Sequence, residues 1–276
     1  MRTRIAVGIV AYLILVACEV PRPELSPLTL ASPLPRVYLP VVARYPIDPR
    51  QGVSIQFFHC EDVATLKANW FHDWGWGRCE NSGEYIDTIW GTQGITGTIT
   101  GSTLIGFNEP DLENQSNIAP CEAAILWRQI EISYTTKYLI SPVPSQLNPQ
   151  WLWGMVDCYS ILNGGARPRF DAVQAHYYFW YGQPTLDEYI TQLRSDMAAH
   201  GYAGKPIWVT EFGTCGSSAD PATWMRGAID WMQTQTDIAR WAWYSARVSP
   251  TECPMNLVNA DGTPNALGIA YMEAGK

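Results

Sequence analysis

Gly106-Phe107-Asn108-Glu109-Pro110-Asp111, preceded by Thr103-Leu104-Ile105, sets one carboxylate at the end of an apolar, β-prone run. About a hundred residues on, Ile207-Trp208-Val209-Thr210-Glu211-Phe212-Gly213 does the same with Glu211. In a barrel of parallel strands, reactive side chains sit at the C-terminal ends of the strands. Working outward from these two, apolar or aromatic runs bounded by turn residues recur along the chain. The candidate strands are Val53–Phe58, Ala68–Asp73, Tyr85–Trp90, Thr103–Phe107, Tyr138–Ser141, Ala172–His176, Ile207–Thr210 and Ala239–Tyr244. Helical spacing of apolar residues marks Glu122–Lys137, Leu186–His200 and Pro221–Thr234 between several of them. Alternating strand and helix implies a parallel sheet with helical crossovers. The expected fold class is α/β, a single (β/α)8 TIM-type barrel, small and irregular in its first units. The gap from Trp74 to Tyr85 is too short for an ordinary crossover helix.

With 276 residues, 47% of them hydrophobic, the chain has the material for one large core. A net charge of -8 leaves it without the basic footprint of a nucleic-acid binder or a polybasic patch for anionic lipid. The 13 Trp and 14 Tyr supply flat faces that stack on sugar rings, although most Trp side chains belong in cores.

Arg2 and Arg4 precede an apolar run from Ile5 to Ala17. That run is shorter than the roughly 20 residues of a bilayer span and resembles a secretion signal. It ends in Leu15-Val16-Ala17-Cys18, similar to a bacterial lipobox. Residues 1–18 are therefore expected to be a lipoprotein signal with Cys18 as the attachment point. Residues 19–50 carry eight prolines from Pro21 to Pro49, read as an extended tether, and 51–276 as the folded domain. The product is expected to be extracytoplasmic, on a bacterial membrane through its lipid or secreted. A disulfide-permissive compartment suits the other cysteines, Cys60, Cys79, Cys121, Cys158, Cys215 and Cys253. Cys60 and Cys79 follow the first two strands, and Cys215 and Cys253 the last two. Neighbouring rim loops bring Cα atoms within the roughly 4.4–6.8 Å a disulfide needs, which leaves Cys121 for Cys158. A metal site is disfavoured by the lack of a close Cys-x-x-Cys pair and by only 4 His.

Two carboxyl groups about 5–5.5 Å apart are what retaining cleavage of a glycosidic bond needs, one protonated and one ionised. Strands 4 and 7 of a barrel face each other across the rim, so Glu109 and Glu211 can converge. Asn108 can hydrogen-bond a sugar 2-hydroxyl.

The set of motifs resembles glycoside hydrolase family 128. It comprises Gly106–Asp111, then Ser141-Pro142, then Asp171 followed by His176-Tyr177-Tyr178. Val209-Thr210-Glu211-Phe212-Gly213, Trp241-Ala242-Trp243-Tyr244 and Asn259-Ala260-Asp261-Gly262 complete it, before Leu267-Gly268. The resemblance runs from about Gly52 to Tyr271. It implies a barrel enzyme acting on β-1,3-glucan by double displacement, with Glu109 as general acid/base and Glu211 as nucleophile. It further implies that Asn108 holds the 2-hydroxyl, that His176 and Tyr178 orient Glu211 or the sugar, and that Trp243 floors the cleavage subsite. Trp70 and Trp74 flank a segment the family commonly writes Trp-Tyr-Tyr-Asn-Trp; here it reads Trp70-Phe71-His72-Asp73-Trp74, and Asp73 adds a third carboxylate able to raise a neighbour's pKa. No cofactor, metal or nucleic-acid partner is expected, and a monomer is. The rival reading is a lipid-anchored, non-catalytic polysaccharide-binding barrel, which needs the aromatics but not the acid pair. A serine hydrolase is disfavoured because no Gly-x-Ser-x-Gly elbow occurs.

Overall fold

Among the described residues, short β-branched and aromatic runs form nine strands: β1 (Gln51–Ile55), β2 (Trp70–Asp73), β3 (Glu84–Tyr85), β4 (Asp87–Thr88), β5 (Thr103–Ile105), β6 (Tyr138–Ile140), β7 (Val173–Phe179), β8 (Ile207–Thr214) and β9 (Ile238–Trp243). This computed structural model describes residues 47–276 except 58, 76, 80, 81, 181, 216–219 and 275. The chain divides into two units, Met1–Ala43 and Arg44–Lys276. The first, with the expected signal and Cys18, lies outside the described residues, as does the expected tether up to residue 46. Residues 47–50 already belong to the fold. The Arg50 guanidinium donates to the carbonyls of Gln233, Gln235 and Ile238 and lies 4.6 Å from the centre of the Trp241 ring.

Every pairing between these strands is parallel. Six form one sheet in the order β3-β2-β1-β9-β8-β7, and β4-β5-β6 form a second. One parallel bridge, Ile140 to Ala172, runs from the end of β6 to the start of β7. The single strand expected at Tyr85–Trp90 is two fragments. β3 pairs only with β2 and β4 only with β5, because the ladder changes partner at Ile86, whose N–H donates to Phe71. Asp87 keeps its ladder place opposite Leu104 of β5, and its fully buried side chain accepts from the Gly101 N–H and from Arg78.

Period-two alternation sorts the strand side chains. Trp70, Ile86, Ile105, Ile140, Ala172, Trp208 and Ala242 meet in a small cluster of their own. Their strand neighbours, among them Phe71, Leu104, Leu139, Val173, Val209 and Trp243, join the larger helix-side core. The helices are α1 (Cys60–Leu66), α2 (Pro120–Ser133), α3 (Gln150–Leu162), α4 (Leu186–Ala199), α5 (Pro221–Thr234) and α6 (Ala266–Ala274). α2 and α5 start with proline at the first turn, where a missing N–H costs nothing. Asp220 caps α5 by accepting from the Thr223 N–H, and Thr185 with Glu188 forms a capping box on α4. Three disulfides join Cys60 to Cys79, Cys121 to Cys158 and Cys215 to Cys253, with Cα separations of 5.2, 5.1 and 5.5 Å. The first ties the start of α1 to the loop after β2, the second ties α2 to α3, and the third ties the segments that follow β8 and β9.

Candidate active site

Glu109 sits four residues past the end of β5, held by its own N–H to the Val143 carbonyl at 2.8 Å. Its φ of 40° lies in the left-handed region, costly for a residue with a Cβ and frequent at functional sites. Glu211 lies inside β8, which continues to Thr214 rather than ending at Thr210 as expected. The register against β7 slips here: Ala175 faces Val209, and His176 faces Glu211. Thr210 is the extra residue, and a bulge of this kind re-aims the next side chain. The Thr210 carbonyl is held by His72 Nε2 at 2.9 Å. His72 therefore donates from Nε2 and is neutral: burial, and secondarily the nearby His176, push its pKa down to about 4.

The buried His176 ring lies between the two glutamates. Its Nδ1 is 3.2 Å from Glu109 Oε1 and its Nε2 3.3 Å from Glu211 Oε1. Burial pulls the His176 pKa down, but the charges of Glu211 and Glu109 outweigh it and the net direction is up. Glu211 is pushed up to about 7, first by burial and next by the Glu109 charge. His176, Tyr178 and Trp74 act the other way. The Tyr178 hydroxyl donates to Glu211 Oε2. The Trp74 indole N–H donates to Asn108 Oδ1 at 2.9 Å. One donor atom from each of Glu109, His176 and Glu211 lies within 4.8 Å of the others. The two imidazole nitrogens serve opposite carboxylates, so a cation shared by all three would require the ring to turn. The arrangement is suited to sharing protons among the three groups.

These groups open into a cleft of about 590 Å³, within the size range of ligand sites. Of the residues singled out in the sequence, Trp74, Asn108, Glu109, Tyr178 and Glu211 line it; Gln56, Gln115, Tyr244, Thr251, Glu252 and Met255 join them. Two expected site residues lie elsewhere. Trp70 is fully buried in the small inner cluster, its indole N–H on the Arg50 carbonyl, two layers below Trp74 on the same strand face. Trp243 is fully buried on the helix side, edge-on to Phe212 with its N–H on Met255. Alternation along β9 supplies the correction: Ala242 is in the inner cluster, so the next residue on that face is Tyr244, which lines the cleft. Asp73 does not face the glutamates. It accepts from the Tyr85 hydroxyl and the Gly77 N–H, and the neighbour whose pKa it raises, after burial, is Tyr85.

Paired acidic side chains bridged by a buried imidazole, in an aromatic-walled cleft at the C-terminal ends of parallel strands, are the kind of arrangement that suits carbohydrate hydrolysis. Residues 53–271 match the family described as glycosyl hydrolase catalytic core, and the chain belongs to that family. A subgroup I endo-β-1,3-glucanase of glycoside hydrolase family 128 from Amycolatopsis mediterranei, in complex with laminaritriose, is similar in structure. Its TM-score is 0.65 at 27% identity, over 82% of this chain and 100% of that one. A subgroup III curdlan-specific exo-β-1,3-glucanase from Blastomyces gilchristii shares the fold, with a TM-score of 0.67 at 21% identity over 83% and 99% of the two chains. Alkali-sensitive linkage protein 1 of Schizosaccharomyces pombe is 27% identical over 207 residues, 68% of this chain and 36% of that protein. The chain thus spans about a third of the length of this curated relative.

Proposed function

We propose that this chain is a retaining glycoside hydrolase that cleaves β-1,3-glucan by double displacement, with Glu109 as general acid/base and Glu211 as nucleophile. The carrying observation is the carboxylate pair, with an oxygen of each within 4.8 Å. That spacing favours the roughly 5–5.5 Å of retaining enzymes over the 6.5–9.5 Å or so of inverting ones. The donors around each group support the division of roles. Glu211 faces His176, Tyr178 and Trp74, all of which favour its ionised form. Among the described residues the donor to Glu109 is the His176 imidazole, and Glu109 is the more exposed of the two, as a group exchanging protons with a leaving sugar and then with water must be. Glu211 reads as the nucleophile although its pKa is raised, because part of the rise comes from the Glu109 charge. When Glu109 holds the proton, that contribution vanishes.

In the first step a Glu211 oxygen bonds the anomeric carbon, the bond to the leaving oxygen breaks, and Glu109 gives that oxygen its proton. In the second, Glu109 takes a proton from water, whose oxygen displaces the Glu211 carboxylate. The β-1,3-glucan assignment draws on the Amycolatopsis enzyme. We read the two sheets as one eight-stranded barrel in which β3 and β4 together form the third strand; the Ile140–Ala172 bridge and the inner cluster support this.

The test is reducing-sugar release from β-1,3-glucan, mixed-linkage glucan, mannan, xylan and cellulose derivatives, with Glu109→Gln and Glu211→Gln alongside. Activity on β-1,3-glucan lost in both variants is expected. Activity on another polymer, lost in the same way, keeps the mechanism and moves the substrate; a variant as active as the parent overturns its assigned role. We also propose that the chain is exported and lipidated at Cys18. Labelled fatty acid is expected in the parent and absent from Cys18→Ser; an unlabelled parent, in a bacterial host, sinks that idea.

A further inference from the structure

One carboxylate in the cleft has no part in the bond-breaking scheme. Glu252 stands in the loop after β9, and its two oxygens are held apart by different neighbours. Oε1 accepts from Gln56 Nε2 at 2.7 Å and Oε2 from the Tyr244 hydroxyl at 2.8 Å. Gln56 is itself anchored, its Oε1 accepting from the Ser249 N–H at 3.0 Å and its own N–H donating to Ser245 Oγ at 3.1 Å. The carboxylate is therefore pre-oriented by loops following β1 and β9, yet among the described residues it has no ion-pair partner. About half of its acceptor positions stay open to the cleft, since an ionised carboxylate accepts about four hydrogen bonds.

Its distance from the reacting groups is controlled on two sides. Cys253, the next residue, is joined to Cys215, four residues beyond Glu211. The Tyr244 ring meets both Trp74 and Tyr178 edge-on, with centroids 5.6 and 5.7 Å away, and Tyr178 donates to Glu211. An exposed carboxylate oriented by two hydrogen bonds, with no ion-pair partner among the described residues, beside an aromatic wall suits a ligand rich in hydroxyl donors and without charge.

We propose that Glu252, held by Gln56 and Tyr244 and stapled through Cys215–Cys253, is a specificity-determining residue that binds the hydroxyls of a sugar unit adjoining the one cleaved. This rests on the carbohydrate reading of the cleft. Glu252 touches substrate without exchanging a proton, so its removal weakens binding of chains long enough to reach it. Glu252→Gln removes the charge and one acceptor while keeping the shape.

The experiment is steady-state hydrolysis of β-1,3-linked oligosaccharides of increasing length by the parent, Glu252→Gln and Glu252→Ala, with titration calorimetry of the same chains against Glu211→Gln with and without each substitution. A fall in kcat/KM of about 10- to 100-fold is expected for the longer chains, carried by KM and matched by Kd, and smaller for the shortest. The alanine variant should lose at least as much as the glutamine variant. Equal losses in kcat at every length, or unchanged KM and Kd, overturn the proposal. If the parent cleaves none of the chains but binds them in a Glu252-dependent way, the catalytic reading fails and this one stands. A parent that neither cleaves nor binds them overturns both.

Discussion

Tyr178 shows how much of the candidate chemistry depends on one hydroxyl. Its ring stands edge-on to Tyr244, its backbone N–H and carbonyl both bond the Gln146 side-chain amide, and its O–H reaches Glu211. Gln146 thus does for Tyr178 what a neighbouring strand does for a ladder residue, beyond the point where β6 stops. A hydrogen bond to the charged form of a carboxylate lowers its pKa, so Tyr178→Phe removes a force opposing the rise of Glu211 to about 7. Two consequences are expected in a pH series of kcat/KM: a loss of about 10-fold or more at the optimum, and movement to higher pH of the limb that requires ionised Glu211. An unmoved limb with reduced rate would mean that the hydroxyl serves the sugar instead.

At the level of elements, Gly106 sets the spacing between β5 and the segment after β6. A Cβ there would lie 2.7 Å from Pro142 N, 2.9 Å from Ser141 C and 2.9 Å from the Trp127 ring, and two of those neighbours are backbone. The same segment supplies the Val143 carbonyl that holds Glu109. Gly106→Ala is expected to cost about 1–3 kcal/mol in stability and to lower kcat, because the strands must part just below Glu109. Gly227, exposed in α5 with nothing within 4 Å of an added Cβ, is the contrast: Gly227→Ala should stabilise by about 0.5–1 kcal/mol and leave kcat alone. Thermal unfolding and kcat of both variants check the pair. How much was legible in the sequence divides along similar lines. Strands and helices with a clear period were readable; Pro221–Thr234 has the bounds its pattern suggests, and the three disulfides join the expected partners. α3 was not readable, because Trp151, Leu152, Trp153, Met155 and Val156 make an apolar run with no clean face. α1, seven residues long, and α6, apolar nearly all round, fail for related reasons. In the site, the two glutamates were visible from strand ends. Depth was not: Trp70 and Trp74 share a strand face, and only the packing distinguishes a floor buried in the core from a wall open to the cleft.

For the whole molecule, the trio of Glu109, His176 and Glu211 links the candidate site to folding stability. The ordinary glutamate value is 4.5, and Glu211 in the fold is pushed up to about 7 by burial and by the Glu109 charge. A carboxyl that holds its proton more tightly when folded stabilises the protein in full below about pH 4.5, and that contribution is lost as pH rises through about 7. His176 has the same sign, since its pKa is raised in the fold despite burial, and its contribution also fades as pH rises past the ordinary histidine value of 6.5. Tenfold tighter proton binding in the fold is worth about 1.4 kcal/mol, so the Glu211 contribution alone is of the order of 3 kcal/mol across this window. The Tm of the parent is therefore expected to fall between about pH 4.5 and 7 by more than exposed groups account for. Glu211→Gln deletes the Glu211 contribution and removes the largest of the three charges that raise His176, those of Glu211, Glu109 and Asp111, so its Tm should fall less over the same range. The two curves should lie closest at the acid end and separate toward neutrality, with the variant the more stable at pH 7. Parallel Tm curves from pH 4.5 to 8 would mean that Glu211 titrates as an ordinary carboxyl and that the trio does not share its protons.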